Sequence, residues 1–504
     1  MTTTVRHWIA GTQTSGTSDR FGPVYDPATG RESARVVLAG KADVDAAVVA
    51  AAEAQDRWRE VSLAHRTGIM FAFRDLVDRH TDELSRIIAA EHGKVVSDAR
   101  GEVLRGLEVV EFACGIAHLL KGEFSDQVST GVDTHSLRQP LGVVAGITPF
   151  NFPVMVPMWM HPIAIATGNA FVLKPSERDP SASLLVARLY AEAGLPDGVF
   201  NVVQGDQVAA QAICDHPGVA AVSFVGSTPV ARAVHQRASA TGKRVQALGG
   251  AKNHAVVLPD ADLDHAAEQI SSAAYGSAGQ RCMAVSVVVA VGQAADGLVT
   301  RLADRARAVR VGPGLDQNSQ MGPVVTAQAR TRILRYLDEG LEAGADLLVD
   351  GRTVSVPGHE AGFFLGPCLF DRVDPDMSIY RDEIFGPVLV VVRADTVAQA
   401  VEMVNANPFG NGVAVFTSSG RVARDFAREV TVGMVGVNVP IPVPMAYYAF
   451  GGWKSSLFGD THVYGAEGVS FYTRAKVVTT RWPDPVPVSA APAGEADLSF
   501  PATH

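Results

Sequence analysis

The segment LGVVAGI (residues 141–147) opens the stretch that decides the fold, because it is the first of five short apolar runs rich in β-branched residues. The later runs are AFVL (170–173), VFNVV (199–203), AVSFV (221–225) and HAVVL (254–258). Helical patterns lie between several of them, and the pattern at 181–193 ends in Gly194-Leu195-Pro196, a helix stop signal. Strands alternating with helices predict a parallel sheet covered by helices, an α/β architecture of the dinucleotide-binding type.

The flanking regions continue this mixture of helices and strands. Residues 42–120 are predicted to be mostly helical, with helices at 43–58, 63–91 and 98–119. Residues 260–440 are predicted to form a second α/β unit, with helices at 262–277, 299–308 and 325–343 and strands at 283–291, 387–393, 412–417 and 434–439. The stretch after Trp482 is rich in Pro and Ala without periodicity, which predicts a flexible tail.

Composition excludes several classes of protein. A chain of 504 residues with 47% hydrophobic and 19% charged residues fits two or three domains with large cores, not a disordered or fibrous protein. The net charge of −10 and the absence of a dense Lys/Arg run argue against a nucleic-acid partner. No signal-peptide pattern stands at the N-terminus, and the apolar runs 153–160 and 283–291 are too short to span a bilayer. We expect a cytoplasmic protein without a membrane partner.

The four cysteines are Cys114, Cys214, Cys282 and Cys368, and they are far apart in the sequence. No CxxC pair or Cys/His spacing indicates zinc, so no metal site is expected, and scattered thiols are typical of a reducing compartment. Cys282 ends the segment GQRC (279–282), in a predicted loop between an Ala-rich helix and the strand MAVSVVVAV. A thiolate in such a loop can be the nucleophile of covalent catalysis. Taken alone, Cys282 is better interpreted as a buried structural cysteine.

Polar side chains follow two of the predicted strands of the first unit. Asn151, in TPFNFP (148–153), comes directly after 141–147, where its amide can donate to a developing oxyanion or cap a turn between two prolines. Lys174 and Glu177 follow the strand 170–173. Ligands of open α/β sheets bind beyond the carboxyl ends of the strands, so this pair can bind the ribose hydroxyls of a cofactor. The alternative is a charge pair in a solvated loop.

Gly226-Ser227 ends the strand 221–225 and precedes Thr228-Pro229, which predicts a helix start. Glycine permits close backbone approach, and a helix N-terminus favours a phosphate, although one Gly-Ser turn is weak evidence. The region lacks a GxGxxG fingerprint, so an ordinary Rossmann dehydrogenase is disfavoured.

Together these segments resemble the aldehyde dehydrogenase superfamily, in order and spacing, over nearly the whole chain. The matching segments are PFNFP (149–153), KPSE (174–177), FVGS (224–227), LGGAKN (248–253), GQRC (279–282), EIFGP (383–387) and NPFGN (407–411). The resemblance implies a Rossmann-type cofactor domain, an α/β catalytic domain and a small bridging β element for oligomerisation. The boundaries it implies are 1–122 and 140–253 for the NAD-binding domain, 254–450 for the catalytic domain and 123–139 with 468–483 for the oligomerisation element, leaving 484–504 as the flexible tail. A homo-oligomer, dimer or tetramer, is expected.

The resemblance also implies roles for individual residues. Cys282 is expected to be the nucleophile, with Asn151 and the Cys282 backbone N–H as the oxyanion hole. NAD is the expected cofactor, and the residues expected to contact it are Thr148, Phe150, Lys174, Glu177, Arg178, Gly226, Ser227, Glu383 and Phe385. Of these, Lys174 and Glu177 would hold the adenosine ribose, and a carboxylate there disfavours the 2′-phosphate of NADP. Gly226-Ser227 would lie near the pyrophosphate, and Glu383 and Phe385 around the nicotinamide ribose and ring.

One departure from the superfamily pattern indicates the acyl acceptor. Most hydrolytic members carry a Glu directly before Leu-Gly-Gly, and here that position is Ala247. Water is a poor nucleophile without a general base, whereas a thiol of pKa ~8.5 is already partly ionised at neutral pH. The missing carboxylate therefore points to CoA as co-substrate. Similarity of GAKNHAVV (250–257), GQRCMA (279–284), VGVNVPIPVP (435–444) and GDTHVYG (459–465) places the chain near the branch that oxidises and decarboxylates malonate or methylmalonate semialdehyde to acetyl-CoA or propanoyl-CoA.

Such a substrate carries a carboxylate, which needs a cationic partner. Arg281 adjoins the expected nucleophile, and Arg105 lies on the helix that lines the substrate tunnel in this superfamily. We expect the two arginines to hold the carboxylate together, although a surface helix charge is the alternative interpretation of Arg105. How Cys282 loses its proton is a second open point; the cationic nicotinamide and Arg281 would both lower its pKa.

Three other functions remain open at this point. A hydrolytic aldehyde dehydrogenase, using another carboxylate as base, would turn over without CoA and release a free acid. A non-catalytic binding protein could keep the fold, but Cys282, Asn151, Lys174 and Glu383 are all present. Phosphate as acyl acceptor is the third, and no residue in the sequence supports it.

Overall fold

The computed structural model describes residues 3–483. Its strands are β1 Thr3–Val5, β2 His7–Ile9, β3 Thr12–Thr14, β4 Phe21–Asp26, β5 Arg31–Val37, β6 Phe124–Ser129, β7 Val132–Pro140, β8 Val143–Ile147, β9 Ala170–Lys174, β10 Phe200–Val202, β11 Val219–Val225, β12 Arg244–Leu248, β13 Asn253–Val257, β14 Val285–Val291, β15 Asp346–Val349, β16 Cys368–Asp371, β17 Val388–Ala394, β18 Phe409–Gly410, β19 Gly412–Phe416, β20 Met434–Val437, β21 Trp453–Lys454, β22 Leu457–Phe458 and β23 Thr473–Arg481.

The helices are α1 Lys41–Trp58, α2 Leu63–Arg79, α3 Thr81–His92, α4 Val96–Cys114, α5 Ile116–Leu119, α6 Met155–Met158, α7 His161–Ala166, α8 Ser181–Glu192, α9 Gln207–Asp215, α10 Thr228–Ala240, α11 Leu263–Tyr275, α12 Ala294–Arg307, α13 Ala327–Glu342, α14 Ser378–Arg381, α15 Val397–Ala406, α16 Gly420–Glu429 and α17 Gly465–Phe471. Two short 3₁₀ turns lie at Gly276–Gly279 and Gly351–Thr353.

The first large sheet has eight strands in the order β22-β12-β11-β8-β9-β10-β2-β3, and β8 to β12 run parallel. Successive side chains of a strand point to opposite faces. Val143, Ala145 and Ile147 therefore pack against α1, α9 and α10, whereas Val144 packs on the other face with α2, α3, α4 and the helices α6 to α8. Both faces are buried, which explains the nearly continuous apolar runs in the sequence.

The second large sheet has seven strands in the order β15-β16-β17-β14-β13-β19-β20 and is parallel except for β15. Its core includes apolar residues of α11, α12, α13, α15 and α16. The run HAVVL, which the sequence grouped with the first sheet, is β13 and pairs with β14 and β19 in this one. The first sheet is completed instead by β12, a strand that the sequence analysis did not single out.

A three-stranded sheet in the order β23-β7-β6 joins residues 124–140 to the chain after α17. Large apolar side chains are exposed along it, including Phe124 at 66% and Val477 at 65%. A second three-stranded sheet, β1-β5-β4, lies near the N-terminus.

Most predicted elements agree with the structure within a few residues, and two predicted helices are wrong in extent. The pattern at 63–91 is two helices separated at His80, and the pattern at 98–119 is broken at Gly115. The predicted tail 484–504 lies outside the described residues. Within residues 3–483, no helix is both long and apolar enough to cross a membrane.

Candidate active site

A cleft of about 1060 Å³ lies beyond the carboxyl ends of β8, β9 and β11, between the first sheet and residues of the second unit. This is the expected place for a ligand of an open α/β sheet. All predicted catalytic and cofactor residues line it: Thr148, Phe150, Asn151, Lys174, Glu177, Arg178, Gly226, Ser227, Cys282, Glu383 and Phe385. Segments spread over more than 230 positions of sequence are thus brought to one cavity.

The loop that carries Cys282 has an unusual backbone. Ser277, Ala278 and Gly279 all have positive φ, at 53°, 51° and 70°, and the first two are buried non-glycine residues. A side chain at Gly279 would collide with the backbone of Gly386, beside Phe385, whose φ is also positive at 55°. Left-handed non-glycine residues cost roughly 1–3 kcal/mol each and concentrate at functional sites. The two strained turns pack together at the wall of the cleft.

Two asparagines hold the main chain at Cys282. Asn253 Nδ2 donates to the carbonyls of Cys282 (2.9 Å) and Ala284 (3.0 Å), and Asn411 Nδ2 donates to the Cys282 carbonyl at 3.2 Å. Asn253 also accepts from Gly412 N at 3.0 Å through Oδ1. These side chains end LGGAKN and NPFGN, segments that the sequence analysis recognised without giving either asparagine a role.

The Cys282 thiol is half-buried on the cleft wall. Burial first, and then the nearby Glu383 carboxylate, raise the pKa of Cys282 to about 12. Arg281 and backbone N–H groups oppose this rise only weakly. The thiol is therefore protonated at neutral pH in the protein alone, and a cationic group entering the cleft would promote its ionisation.

The Glu383 carboxylate lines the same cleft and is anchored to the main chain. Its Oε1 accepts from Ala251 N at 2.9 Å, and a side chain at Gly250 would collide with Oε2. Burial raises the pKa of Glu383, and the Ala251 N–H and Lys252 oppose the rise. Lys252 fixes the same turn by donating to the Asp382 carbonyl at 2.7 Å.

At the other end of the cleft, Lys174 Nζ lies 3.1 Å from Glu177 Oε2. Burial by itself would raise the pKa of Glu177, but the Lys174 charge and hydrogen bonds to the carboxylate hold it below its ordinary value. Glu177 is thus an anion at neutral pH, with oxygens able to accept from ribose hydroxyls and to repel a 2′-phosphate. Arg178 lies over the Phe150 ring, 4.8 Å from its centroid.

The floor between these ends offers hydrogen-bond donors to a ligand. Helix α10 begins at Thr228, as predicted, with Ser227 as its N-cap and without a side-chain cap, so its first N–H groups are open towards the cleft. Thr148 Oγ1 is buried without a hydrogen-bond partner among residues 3–483. Buried polar atoms are normally paired, so an orphan on a cleft wall fits a site completed by a ligand.

The two predicted substrate arginines do not line the cleft. Arg105 binds the Glu108 carboxylate (2.6 Å to Oε2) and donates to the Pro444 carbonyl at 2.8 Å. Arg105 is therefore a paired charge and not a free charge on the surface of the helix. Arg281 forms an ion pair with Asp98 and is mostly buried. A substrate carboxylate would have to compete with these two acids.

Tyr464 lies close to Arg105, and its position was not singled out from the sequence. It is buried, and it contacts the same small cavity as Arg105. Burial raises the pKa of Tyr464, and both Arg105 and Cys282 act on it electrostatically. Its hydroxyl donates to the Pro444 carbonyl at 3.3 Å. The segment GDTHVYG, quoted only for its similarity, was the available signal.

The end of β12 carries the position at which the sequence lacks a general base. Ala247 is fully buried and packs with Val245 and Phe224 on the α9 and α10 face of the first sheet, and Phe224 also lines the cleft. Leu248, the next residue, belongs to the apolar cluster on the opposite face. Neither side chain can accept a proton, so β12 ends without a carboxylate.

Comparisons with known proteins agree with this geometry. Residues 13–478 match the profile of the aldehyde dehydrogenase family. The chain is 52% identical over 481 residues to a malonate-semialdehyde dehydrogenase of Pseudomonas aeruginosa, covering 95% of this chain and 97% of that protein. It is 47% identical over 488 residues to an acylating, mitochondrial methylmalonate-semialdehyde dehydrogenase of Arabidopsis thaliana, covering 97% and 80%. A Sinorhizobium meliloti protein solved in complex with NAD superposes with a TM-score of 0.96 at 51% identity, covering 96% and 99%.

Proposed function

The chain belongs to the aldehyde dehydrogenase family, and we propose that it oxidises malonate or methylmalonate semialdehyde with NAD and transfers the shortened acyl group to CoA. The observation that carries the choice of CoA is the apolar end of β12. Ala247 and Leu248, the last two residues of this strand, are both buried and apolar, so neither can activate water. The Arabidopsis relative is an acylating enzyme, which supports the same acceptor.

The residues of the cleft fit NAD. Glu177 and Lys174 would hold the adenosine ribose, the open N-terminus of α10 would meet the pyrophosphate, and Thr148 would complete its hydrogen bonding on the bound cofactor. Glu383 would hold the nicotinamide ribose beside Cys282. When bound, NAD supplies the hydride acceptor and a positive charge close to the thiol. The anionic Glu177 favours NAD over NADP.

The chain's own residues would perform the covalent steps. The Cys282 sulfur attacks the aldehyde carbon, and Asn151 with the Cys282 N–H donates to the oxygen that becomes negative. After hydride loss the substrate is a thioester on Cys282. Its β-carboxylate can then leave as CO2, since the electron pair of the broken C–C bond forms an enolate that the same two donors stabilise. The α-carbon of the enolate then takes a proton from solvent, which gives the shortened acyl thioester. The CoA thiol attacks the remaining thioester and frees Cys282.

Arg105 and Arg281 are the proposed partners of the substrate carboxylate. Arg281 adjoins Cys282 in the chain, and Arg105 lines a small cavity together with Tyr464. Each arginine already has an acidic neighbour, Glu108 or Asp98, which would hold it in place before the substrate arrives.

The domain division and the assembly are proposals of the same kind. We propose the cofactor domain at 1–122 and 140–253, the catalytic domain at 254–450 and the oligomerisation element at 123–139 and 468–483. The β23-β7-β6 sheet supports a homo-oligomer, dimer or tetramer, because its exposed apolar side chains would be covered by another subunit. The four unpaired cysteines suit the reducing cytoplasm.

The decisive experiment is NADH formation from malonate semialdehyde with and without CoA. We expect fast turnover only with CoA, and acetyl-CoA as the product. Equal rates without CoA, with a free acid as product, would contradict the proposed acceptor and favour a hydrolytic enzyme. The Cys282→Ser variant, which keeps the cleft but lacks the thiol, is the control for uncatalysed NADH formation.

A further inference from the structure

A fully buried ion pair lies directly behind the loop that carries Asn151. Lys94 and Glu102 both have side chains with 0% exposure, and Lys94 Nζ lies 2.8 Å from Glu102 Oε2. Lys94 Nζ also donates to the Asn151 carbonyl at 2.6 Å and lies 4.4 Å from the centroid of the Phe152 ring. The pair is outside the cleft, so it can act on the chemistry only through Asn151.

The other oxygen of Glu102 holds the far end of the same loop. Glu102 Oε1 accepts from Val154 N at 2.8 Å and from Met155 N at 3.2 Å. Together with the Lys94 bond to the Asn151 carbonyl, these contacts bind the pair to both ends of the segment 151–155. All three contacts are made to main-chain atoms, so they fix the position of the backbone that carries the Asn151 amide.

Lys94 is itself anchored to the part of the chain that follows Cys282. It sits in the turn between α3 and α4, next to Gly93, whose φ is 93°. A side chain at Gly314 would collide with the carbonyls of Gly93 and Lys94, and one at Gly322 with the carbonyl of Gly93. Val96 N donates to Gly314 O at 3.1 Å. The turn between α3 and α4 therefore packs between the Asn151 loop and the second unit, which also carries the Cys282 loop.

Stability alone is a poor reason to keep such a pair. Removing two charges from water is expensive, and an apolar pair of similar volume is often at least as stabilising. Directional bonds give something that apolar packing cannot, namely a donor held within tenths of an ångström of its place. Oxyanion donors require that accuracy.

We propose that Lys94 and Glu102 are positioning residues, which keep the Asn151 amide aimed at the oxyanion formed on the Cys282 adduct. This inference rests on the proposed role of Asn151. It predicts that loss of the pair impairs the first chemical step without impairing cofactor binding or the intrinsic reactivity of the thiol.

The test is a double-mutant cycle between the pair and Asn151. The pair is replaced by two apolar residues, Lys94→Met with Glu102→Met, since that variant leaves no unpaired buried charge. The rate of the first NADH turnover is expected to fall about 10²–10³-fold, the usual loss for one oxyanion donor, and Asn151→Ala is expected to lose the same. Combining both changes should add little further loss, because both remove the same interaction. Cys282 alkylation by iodoacetamide and the Kd for NAD are expected to stay near the parent values.

The outcomes separate this inference from the proposed function. If Asn151→Ala alone costs nothing, the proposed role of Asn151 is wrong. If Asn151→Ala is costly but the two losses multiply, or if NAD binding falls with the rate, the pair is structural and the positioning role is wrong. If the double Met variant does not fold, as judged by thermal melting, Lys94→Met with Glu102→Gln takes its place. This variant also leaves no unpaired buried charge and removes the Lys94 bond to Asn151 at nearly unchanged volume, and the same cycle decides.

Discussion

The reactivity of Cys282 should be very low in the protein alone and should rise when NAD is present. Burial and Glu383 raise the thiol pKa to about 12. At pH ~7.5 roughly 3 in 10⁵ such thiols are ionised, against roughly one in ten for a free cysteine with pKa ~8.5. Only the thiolate reacts, so ionisation alone predicts alkylation about 3000-fold slower than that of free cysteine.

The intrinsic nucleophilicity of the thiolate offsets part of this difference. A thiolate becomes more nucleophilic as its pKa rises, with a Brønsted slope of about 0.4–0.5, which returns roughly 40-fold over ~3.5 pKa units. The expected alkylation of Cys282 is therefore about a hundredfold slower than that of a free cysteine at neutral pH, before any steric effect.

Iodoacetamide labelling followed by intact mass, from about pH 6 to about pH 11, tests whether the thiol pKa lies above that range. The other cysteines, Cys114, Cys214 and Cys368, should interfere little, since all three are buried and the reagent cannot reach their thiols. Cys282→Ser reports any labelling that remains. The rate should rise about tenfold per pH unit without levelling off below pH ~10 in the protein alone.

NAD should move this profile to lower pH, because a cation beside the thiol favours its charged form. A profile that levels off below about pH 9 without NAD would refute the assigned effect of burial and Glu383. A profile that NAD leaves in place would refute activation of Cys282 by the cofactor. AMP, which fills the adenosine end of the site without the nicotinamide, is the matched control and should not shift the profile.

Three further predictions concern single side chains. Arg105→Met is expected to raise the KM for malonate semialdehyde about 10–100-fold, since a charge-assisted hydrogen bond contributes about 1.5–3 kcal/mol. The kinetics with propanal, which has no carboxylate, should change little. An equal effect on both aldehydes would show that Arg105 is structural. Ala247→Glu is expected to raise the CoA-independent share of NADH formation, because it places a carboxylate base at the position where the sequence lacks one; an unchanged share would contradict the inference drawn from the missing carboxylate. Glu177→Ser is expected to raise the NADP to NAD ratio of kcat/KM about tenfold, since the carboxylate near a 2′-phosphate is removed; an unchanged ratio would remove Glu177 from the ribose site.

The sequence predicted the centre of the fold well. Strands β8, β9 and β11 are buried on both faces, and a strand in that situation shows an uninterrupted apolar run that needs no knowledge of its neighbours. The predicted site followed from the same strands, because their carboxyl ends share one edge of the sheet. Asn151 and Lys174 could thus be expected to approach one cleft before any contact was known.

Contacts between distant segments could not be read in the same way. The predicted helix at 63–91 looks continuous in its periodicity, and only packing reveals the break at His80. Arg105 and Arg281 gave no sign of their partners, since Glu108 and Asp98 are ordinary helix acids in the sequence. The Lys94 contact with Asn151 joins residues 57 positions apart, which no local pattern predicts.

The end of β12 shows why the acyl acceptor could be inferred from the sequence. Consecutive side chains of a strand point to opposite faces, so Ala247 meets the α9 and α10 core and Leu248 meets the opposite face. A sequence motif can identify the turn Gly249-Gly250 that follows the strand, but the motif does not say which face its last side chain occupies. Here both residues are apolar, so neither face of the sheet receives a carboxylate from the end of this strand. The inference that water lacks a general base therefore does not depend on the register of β12.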